Sequence, residues 1–448
     1  METKLLAAYA AALSYEEIPD DVIERAKDCF LDSLGAAIYG ADLPWSRIII
    51  NYARRYGAGG KSSILGEMNG KVQAPFAALA NGALTHSFEL DNVRQPGAGV
   101  HAGATLIPAG LAVAEEIGAS GKDLLAAFVA GCEVMFRIGH ACRETSEKLG
   151  FHAPALTGTL GAAATAGRLL GLSTQQMVNA FGIAGSLSSG LLEFVKSGTG
   201  GMVKRLHLGR AAEGGVLAAS LARDGFTGPE TILEGKFGFL QVFSREPDLS
   251  RLTLGLGKDY EVMNICMKCF PCHINAQAPI QAVQELRAEH PFMGGEVEDI
   301  TITGGEKIVT HHNVPEPKDV MMAQYSIPFS VALSLFREPG NPRSFSEASL
   351  SDPAILSLSR RIKLVVDELS KETEGYRGAR VTVRLKSGRE LVREVREFKG
   401  TPAHPLNRAE VREKFMTLSV RIGKSTAERL AGRIENLAAV ENVRKLLS

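Results

Sequence analysis

Asp91 and His101 stand ten positions apart on either side of a loop marked by Pro96, Gly97 and Gly99. A carboxylate and an imidazole are the pairing that general acid–base chemistry needs, and such a loop lets both face one cavity. The spacing of Phe76, Leu79, Leu84 and Phe88 predicts a helix that carries Asp91 at its end. After the small residues Ala102, Gly103 and Ala104, an apolar helix is expected from Leu106 to Ile117. The same two residues also admit a plain structural role, Asp91 as a cap and His101 as a satisfied core histidine.

Four other stretches set polar groups among small residues. His152 precedes Pro154, and a proline-started helix offers open N–H groups and a dipole that favour an anion such as a carboxylate. Gly200-Gly201 leads into Lys204, Arg205 and His207, read as a flexible glycine turn with cations behind it; ordinary surface charge is the other reading. The order of residues there is not that of a phosphate-binding P-loop. Cys266, Cys269 and Cys272 run into His273, which matches both a c-type haem pattern and part of an iron–sulfur motif. No fourth cysteine follows, so buried structural thiols are the larger alternative and no metal is expected. Lys268 and His273 then matter more than the sulfurs, as groups that could anchor an anion. Gln324 and Tyr325 could line a site ahead of Pro328, whereas Met321 and Met322 read as core. His311 and His312, adjacent on a loop, read as surface residues.

Two or three domains suit a chain of 448 residues. Lys plus Arg and Asp plus Glu both number 50, so no basic face recommends nucleic acid and the expected partner is a small molecule. No run reaches the roughly 18 consecutive apolar residues of a membrane span, and Met1 to Leu6 lead into an ordinary helix. A soluble, cytoplasmic protein with six reduced cysteines is the expectation.

Helical patterns dominate up to residue 261: Ile23 to Ala37, Leu124 to Val134, a small-residue helix from Gly158 to Leu172, and one from near Leu208 to Arg223 that stops at Asp224-Gly225. Ser173, with Gln176 three positions on, reads as a capping box. From 262 to 400 the pattern is α+β. Glu296 to Thr303 is β-rich, Ala379 to Val395 reads as a hairpin turning at Lys386 to Arg389, and helices are expected at Pro279 to Glu289 and Ser326 to Phe336. Asn407 with Glu410 opens a final helical stretch, 401–448, expected to rejoin the first domain. The fold class is therefore a large all-α helical domain formed by both chain ends, 1–261 and 401–448, plus a smaller α+β domain, 262–400.

Taken together, H-S-F-E-L-D with H-A-G-A, G-F-H-A-P-A-L-T-G, G-M-V-K-R-L-H-L-G-R-A-A, K-C-F-P-C-H, A-Q-Y-S-I-P-F and P-L-N-R-A-E-V-R-E-K-F resemble the MmgE/PrpD family over nearly the whole chain and in the same order. The resemblance implies a homodimer acting on a small polycarboxylate without a cofactor, as in 2-methylcitrate dehydratase, cis-aconitate decarboxylase and an iminodisuccinate epimerase. It places Asp91, His101, His152, Lys204, Lys268 and His273 as catalytic residues, with Gln95, Arg205, Gln277 and Tyr325 as substrate-binding candidates. Two departures bear on the substrate: Gln95 stands where decarboxylase-like members tend to have threonine, and Gln277 where many members have a second histidine. Glutamine keeps hydrogen bonding but cannot transfer a proton. Dehydration, decarboxylation and epimerisation all pass through carbanion-like character beside a carboxylate, and each stays open here, as does a binding protein without turnover.

Overall fold

Alanine and glycine on facing helices let backbones approach to near contact, and the helices bearing the candidate residues are fixed in this way. The computed structural model describes residues 1–67, 70–95, 97, 100–196, 201–367 and 377–447. Pro96, Gly99 and the glycine-rich stretch 197–200, to which the sequence assigns loops, lie outside the described residues. The chain forms two compact units: Met1–Ser87, Asp91–Ile265 and Asn407–Ser448 in one, Phe88–Leu90 and Cys266–Leu406 in the other.

In the first unit, helices Ala74–Thr85 and Met202–Arg223 meet at Gly82 and Gly209. A Cβ on Gly82 would stand 2.7 Å from the Gly209 Cα, and one on Gly209 would overlap the Leu79 carbonyl oxygen. Helix Ala153–Leu169 packs on Met202–Arg223 by the same device, with Gly215 against Ala162. Helix Arg408–Leu418, opened by the Asn407–Glu410 capping box, lies along helix Asp20–Gly40, where Lys414 Nζ reaches the buried Asp32 carboxylate at 2.6 Å.

Helix Gly121–Ala141 holds no unbroken apolar run of spanning length, as the sequence reading has it, yet by length and overall composition it could cross a membrane. It is instead a core helix: 94 % of its apolar window is buried. It also carries a charged pair, Arg137 Nε donating to Glu133 Oε2 at 2.9 Å, while Glu133 Oε1 accepts from the Glu261 backbone N–H at 2.6 Å. Burial raises the Glu133 carboxyl to about 7.

Other boundaries also move. The helix expected to deliver Asp91 ends at Thr85, and Glu89 at φ 55° keeps the following turn out of helical geometry. The helix expected from Leu208 begins at Met202, which takes Lys204, Arg205 and His207 off a glycine turn and onto a helix. An antiparallel ribbon, Ala58–Ser63 with Lys71–Val72, interrupts the expected all-helical first half.

The second unit is built on a four-stranded sheet in the order Ile362–Val366, Val297–Gly304, Ala379–Leu385, Glu390–Val395. The first pair is parallel and the others antiparallel; the last two strands are the hairpin read from the sequence, with Gly388 at φ 87° in its turn. Val297, Ile300, Ile302, Val381 and Val383 are fully buried, and helix Ile274–Glu289 packs against the hairpin strands.

The Gly82–Gly209 crossing yields a test. Gly209→Ala should lower the free energy of unfolding by about 1–3 kcal/mol, because neither backbone can retreat. Urea denaturation measures it; a variant as stable as the parent would mean that the two helices are not locked at this point.

Candidate active site

The 86–105 segment is shaped by hydrogen bonds. Asn92 Nδ2 donates to Asp32 Oδ2 and Ser33 Oγ, both at 3.0 Å, while its Oδ1 accepts from the Gly103 N–H at 3.0 Å. Gly103 must be glycine, since a Cβ would sit 2.6 Å from Asn92 Nδ2. Arg94 N donates to Val100 O at 2.9 Å, and Thr105 Oγ1 donates to His101 O at 3.0 Å. These contacts bring the two ends of the loop side by side and aim Asp91 and His101 at each other.

Asp91 Oδ2 is shared by two imidazoles, His101 Nδ1 at 2.7 Å and His86 Nδ1 at 3.0 Å. Burial works against the Asp91 charge, but the two rings outweigh it and hold the carboxyl well below the usual carboxylate range. Burial pushes His86 the other way, well below its ordinary value, with Lys204 adding to the shift and Asp91 opposing it. Asp91 is thus ionised beside a neutral His86. With both Nδ1 atoms turned to the carboxylate, each Nε2 is left for other work. Asp91 Oδ1 and His86 Nε2 are buried with no partner among the described residues.

Beside this triad, the His152 ring centroid lies 6.3 Å from that of His86. His152 stands at the N-cap position of helix Ala153–Leu169, just ahead of Pro154 as the sequence implies, and its Nδ1 is 3.1 Å from Nδ1 of His207. Burial, then His207, holds His152 well below its ordinary value; burial, then Lys204, lowers His207 to about 4. His86 was not singled out from the sequence, although H-S-F-E-L-D contains it, and His207 was read only as one of the groups behind a flexible glycine turn. The missed signal for His207 is its i+3 spacing from Lys204 on a helix that begins earlier than expected.

Lys204 is buried in this unit. Arg205 Nε donates to the Ser87 carbonyl at 2.8 Å and its guanidinium lies 4.0 Å over the Trp45 ring, which ties it to the turn ahead of Asp91. Gln95 is buried; its backbone N donates to Asn264 O at 2.8 Å and its Nε2 has no partner among the described residues.

The remaining candidates belong to the second unit. Lys268 is 1 % exposed and its Nζ meets Glu89 Oε2 at 3.0 Å, so its charge is matched by a carboxylate the sequence reading had not singled out. His273 caps helix Ile274–Glu289, and its ring stacks on His312 at 4.0 Å and near Tyr325 at 5.0 Å. The surface assignment of the His311-His312 pair is half wrong: His311 is exposed, but His312 is buried with Nδ1 3.0 Å from Tyr325 O, and burial lowers it to about 3. Gln277 spends its amide on the 269–272 loop, accepting from Cys269 N and Phe270 N at 3.1 Å and donating to Phe270 O at 2.9 Å. Its geometry is that of a loop staple. None of the six cysteines forms a disulfide; Cys266 and Cys272 are buried, and burial pushes Cys272 up to about 12.

His86, Asp91 and His101 are also the one group among the described residues whose donor atoms lie close enough to share a metal ion. The two short Nδ1–Oδ2 distances equally suit charge-assisted hydrogen bonds, which account for the triad without an ion. A cavity of about 480 Å³ elsewhere in the first unit, lined by Lys71, Arg429 and Arg433, holds none of these histidines.

Histidines kept neutral by burial make stability depend on pH. His86 and His152 have ordinary values of 6.5, and only the unfolded chain gains their protons just below that pH. The contribution of these two rings is therefore full above 6.5 and declines as pH falls, while Glu133, raised to about 7 in the folded chain, acts in the opposite sense over part of that range. Asp91, with an ordinary value of 3.8, adds a second loss as pH falls from there toward its lower folded value. Calorimetry should show Tm dropping steadily from about pH 7 to about pH 5; a flat Tm would contradict neutral burial of the two rings.

Models of the MmgE/PrpD N-terminal domain and the MmgE/PrpD C-terminal domain match residues 4–252 and 270–438. The chain is 28 % identical to a cis-aconitate decarboxylase of Aspergillus terreus, over 97 % of this chain and 92 % of that protein. It is 29 % identical to a cis-aconitate decarboxylase-like protein of Aspergillus oryzae, over 100 % and 96 %. The cis-aconitate decarboxylase of Homo sapiens is 27 % identical over 98 % and 92 %. With both domain models matched in order along the chain, this protein belongs to the MmgE/PrpD family.

Proposed function

We propose that the chain is a cofactor-independent lyase that decarboxylates cis-aconitate or a closely similar unsaturated polycarboxylate by proton transfer. The observation that carries the reading is the shared Asp91 oxygen, with His101 Nδ1 at 2.7 Å, in a cluster that also contains His152. The Aspergillus terreus and Homo sapiens relatives, named for cis-aconitate decarboxylation, support the substrate class.

In this reaction one C–C bond to a carboxylate breaks and CO2 leaves. The pair from the broken bond forms a new double bond to the central carbon, the old π pair shifts to the carbon beside a remaining carboxylate, and that carbon takes a proton. In the proposal Asp91 holds His101 in the tautomer that presents Nε2, and His101 and His152 handle the proton. Lys204 supplies positive charge where negative charge develops, and Lys268 and His273 hold carboxylates. Arg205 and Tyr325 take supporting positions, and Gln277 keeps the loop after Lys268 in shape. The homodimer implied by the resemblance and the cytoplasmic placement expected from the sequence are parts of the same proposal.

Gln95 favours a second reading, the same proton chemistry on a different acid, such as dehydration of 2-methylcitrate or epimerisation of an iminodisuccinate-like dicarboxylate. Its Nε2, without a partner among the described residues, offers a donor where decarboxylase-like members tend to have a hydroxyl.

Assays of CO2 release and of substrate loss across these acids test the proposal. Cis-aconitate should be consumed with CO2 release, unchanged after dialysis against a chelator. Asp91→Asn should lower kcat by about 100- to 10,000-fold in folded protein. Chelator-sensitive activity, or an Asp91→Asn variant of parental kcat, would overturn the mechanism; conversion of another acid would select the second reading.

A further inference from the structure

Resting on that reading, one contact asks for a role. His152 Nδ1 and His207 Nδ1 lie 3.1 Å apart, and two imidazole nitrogens at hydrogen-bond distance hold one proton between them. His207 is half-buried on helix Met202–Arg223, whereas His152 is 6 % exposed. Gly190 closes the pair from one side: its carbonyl accepts from the His152 N–H at 3.1 Å, and a Cβ there would lie 3.5 Å from His207 Nδ1. The Phe194 ring lies 5.5 Å from His152 and 5.8 Å from His207.

We propose that His207 is a positioning residue that relays the proton of His152, so that the buried ring works as acid or base without gaining net charge. A neutral imidazole that surrenders its Nε2 proton stays neutral only if its Nδ1 receives one. When His152 Nε2 protonates carbon, the Nδ1 proton of His207 crosses to His152 Nδ1, and His207 takes a proton from solvent at its own Nε2. When His152 acts as base the three transfers run in reverse. After product leaves and water enters, the same reverse transfers restore the resting tautomers, and one solvent proton has gone to product. The charged and titratable groups facing this pair are Lys204, toward His207, and His86, His101 and Asp91, toward His152. Burial holds both rings neutral at pH 7, the state the relay uses.

Two readouts test the inference separately from the proposed reaction. In labelled-histidine nitrogen NMR of the wild-type protein, His152 and His207 should show one shared Nδ1 proton, a pattern lost in His207→Gln. Two rings that each carry an independent proton state would overturn the relay whatever the enzyme's substrate. In kinetics, His207→Gln, which keeps a hydrogen-bond donor but cannot pass a proton, should lose about 10- to 100-fold in kcat with little change in KM. His207→Ala should recover rate with added imidazole, saturably. A His207→Gln variant with parental kcat, or a His207→Ala variant deaf to imidazole while wild type turns over, would contradict the relay. A wild type silent on every acid offered would sink the proposed function and leave the NMR to decide the pair.

Discussion

A single buried carboxylate oxygen, Asp91 Oδ2, accepts from two imidazoles, and much of the first unit exists to keep it there. An isolated carboxylate at this depth would be protonated, so the charge survives only because His86 and His101 both turn Nδ1 toward it. That choice fixes which nitrogen each ring has left. Geometry at Asp91 therefore decides proton chemistry at His101.

Holding the carboxylate requires support from elements far apart in sequence. Asn92 ties the turn after Asp91 to Asp32 and Ser33 on helix Asp20–Gly40 and to Gly103 beyond the loop. Arg205 grips the Ser87 carbonyl from helix Met202–Arg223, whose own position is set by the crossing at Gly82 and Gly209. Because that helix begins at Met202, Lys204 and His207 stand one turn apart on a rigid element, where charge and a titratable ring are placed by packing and not by a flexible loop. The helix crossings and the titratable cluster are one construction.

Much of this was readable in the sequence. The capping boxes at Ser173 and Asn407, the hairpin around Gly388 and His152 ahead of Pro154 are local signals, and the structure reproduces them because local hydrogen bonds and backbone preferences decide them. Asp91 and His101 were visible as a pair because a loop of small residues joins them. What the sequence hid depends on tertiary contact. Glu89 matches the charge of Lys268 across 179 positions, and His312 is buried under Tyr325 although its neighbour His311 is exposed. Helix Gly121–Ala141 keeps Glu133 and Arg137 inside because each satisfies the other, which an apolar-run count misses. Gln277 drew attention as the position where many family members have histidine, and its five amide contacts to a neighbouring loop have no sequence signature.

The central claim is that a proton passes from this histidine cluster to a carbon beside a carboxylate as CO2 departs. Proton NMR of cis-aconitate incubated with the protein in deuterated water tests it most directly. The account predicts itaconate carrying one deuterium on the methylene carbon next to a carboxylate. Itaconate formed with no solvent deuterium at that carbon, or cis-aconitate left untouched by folded protein, would contradict it.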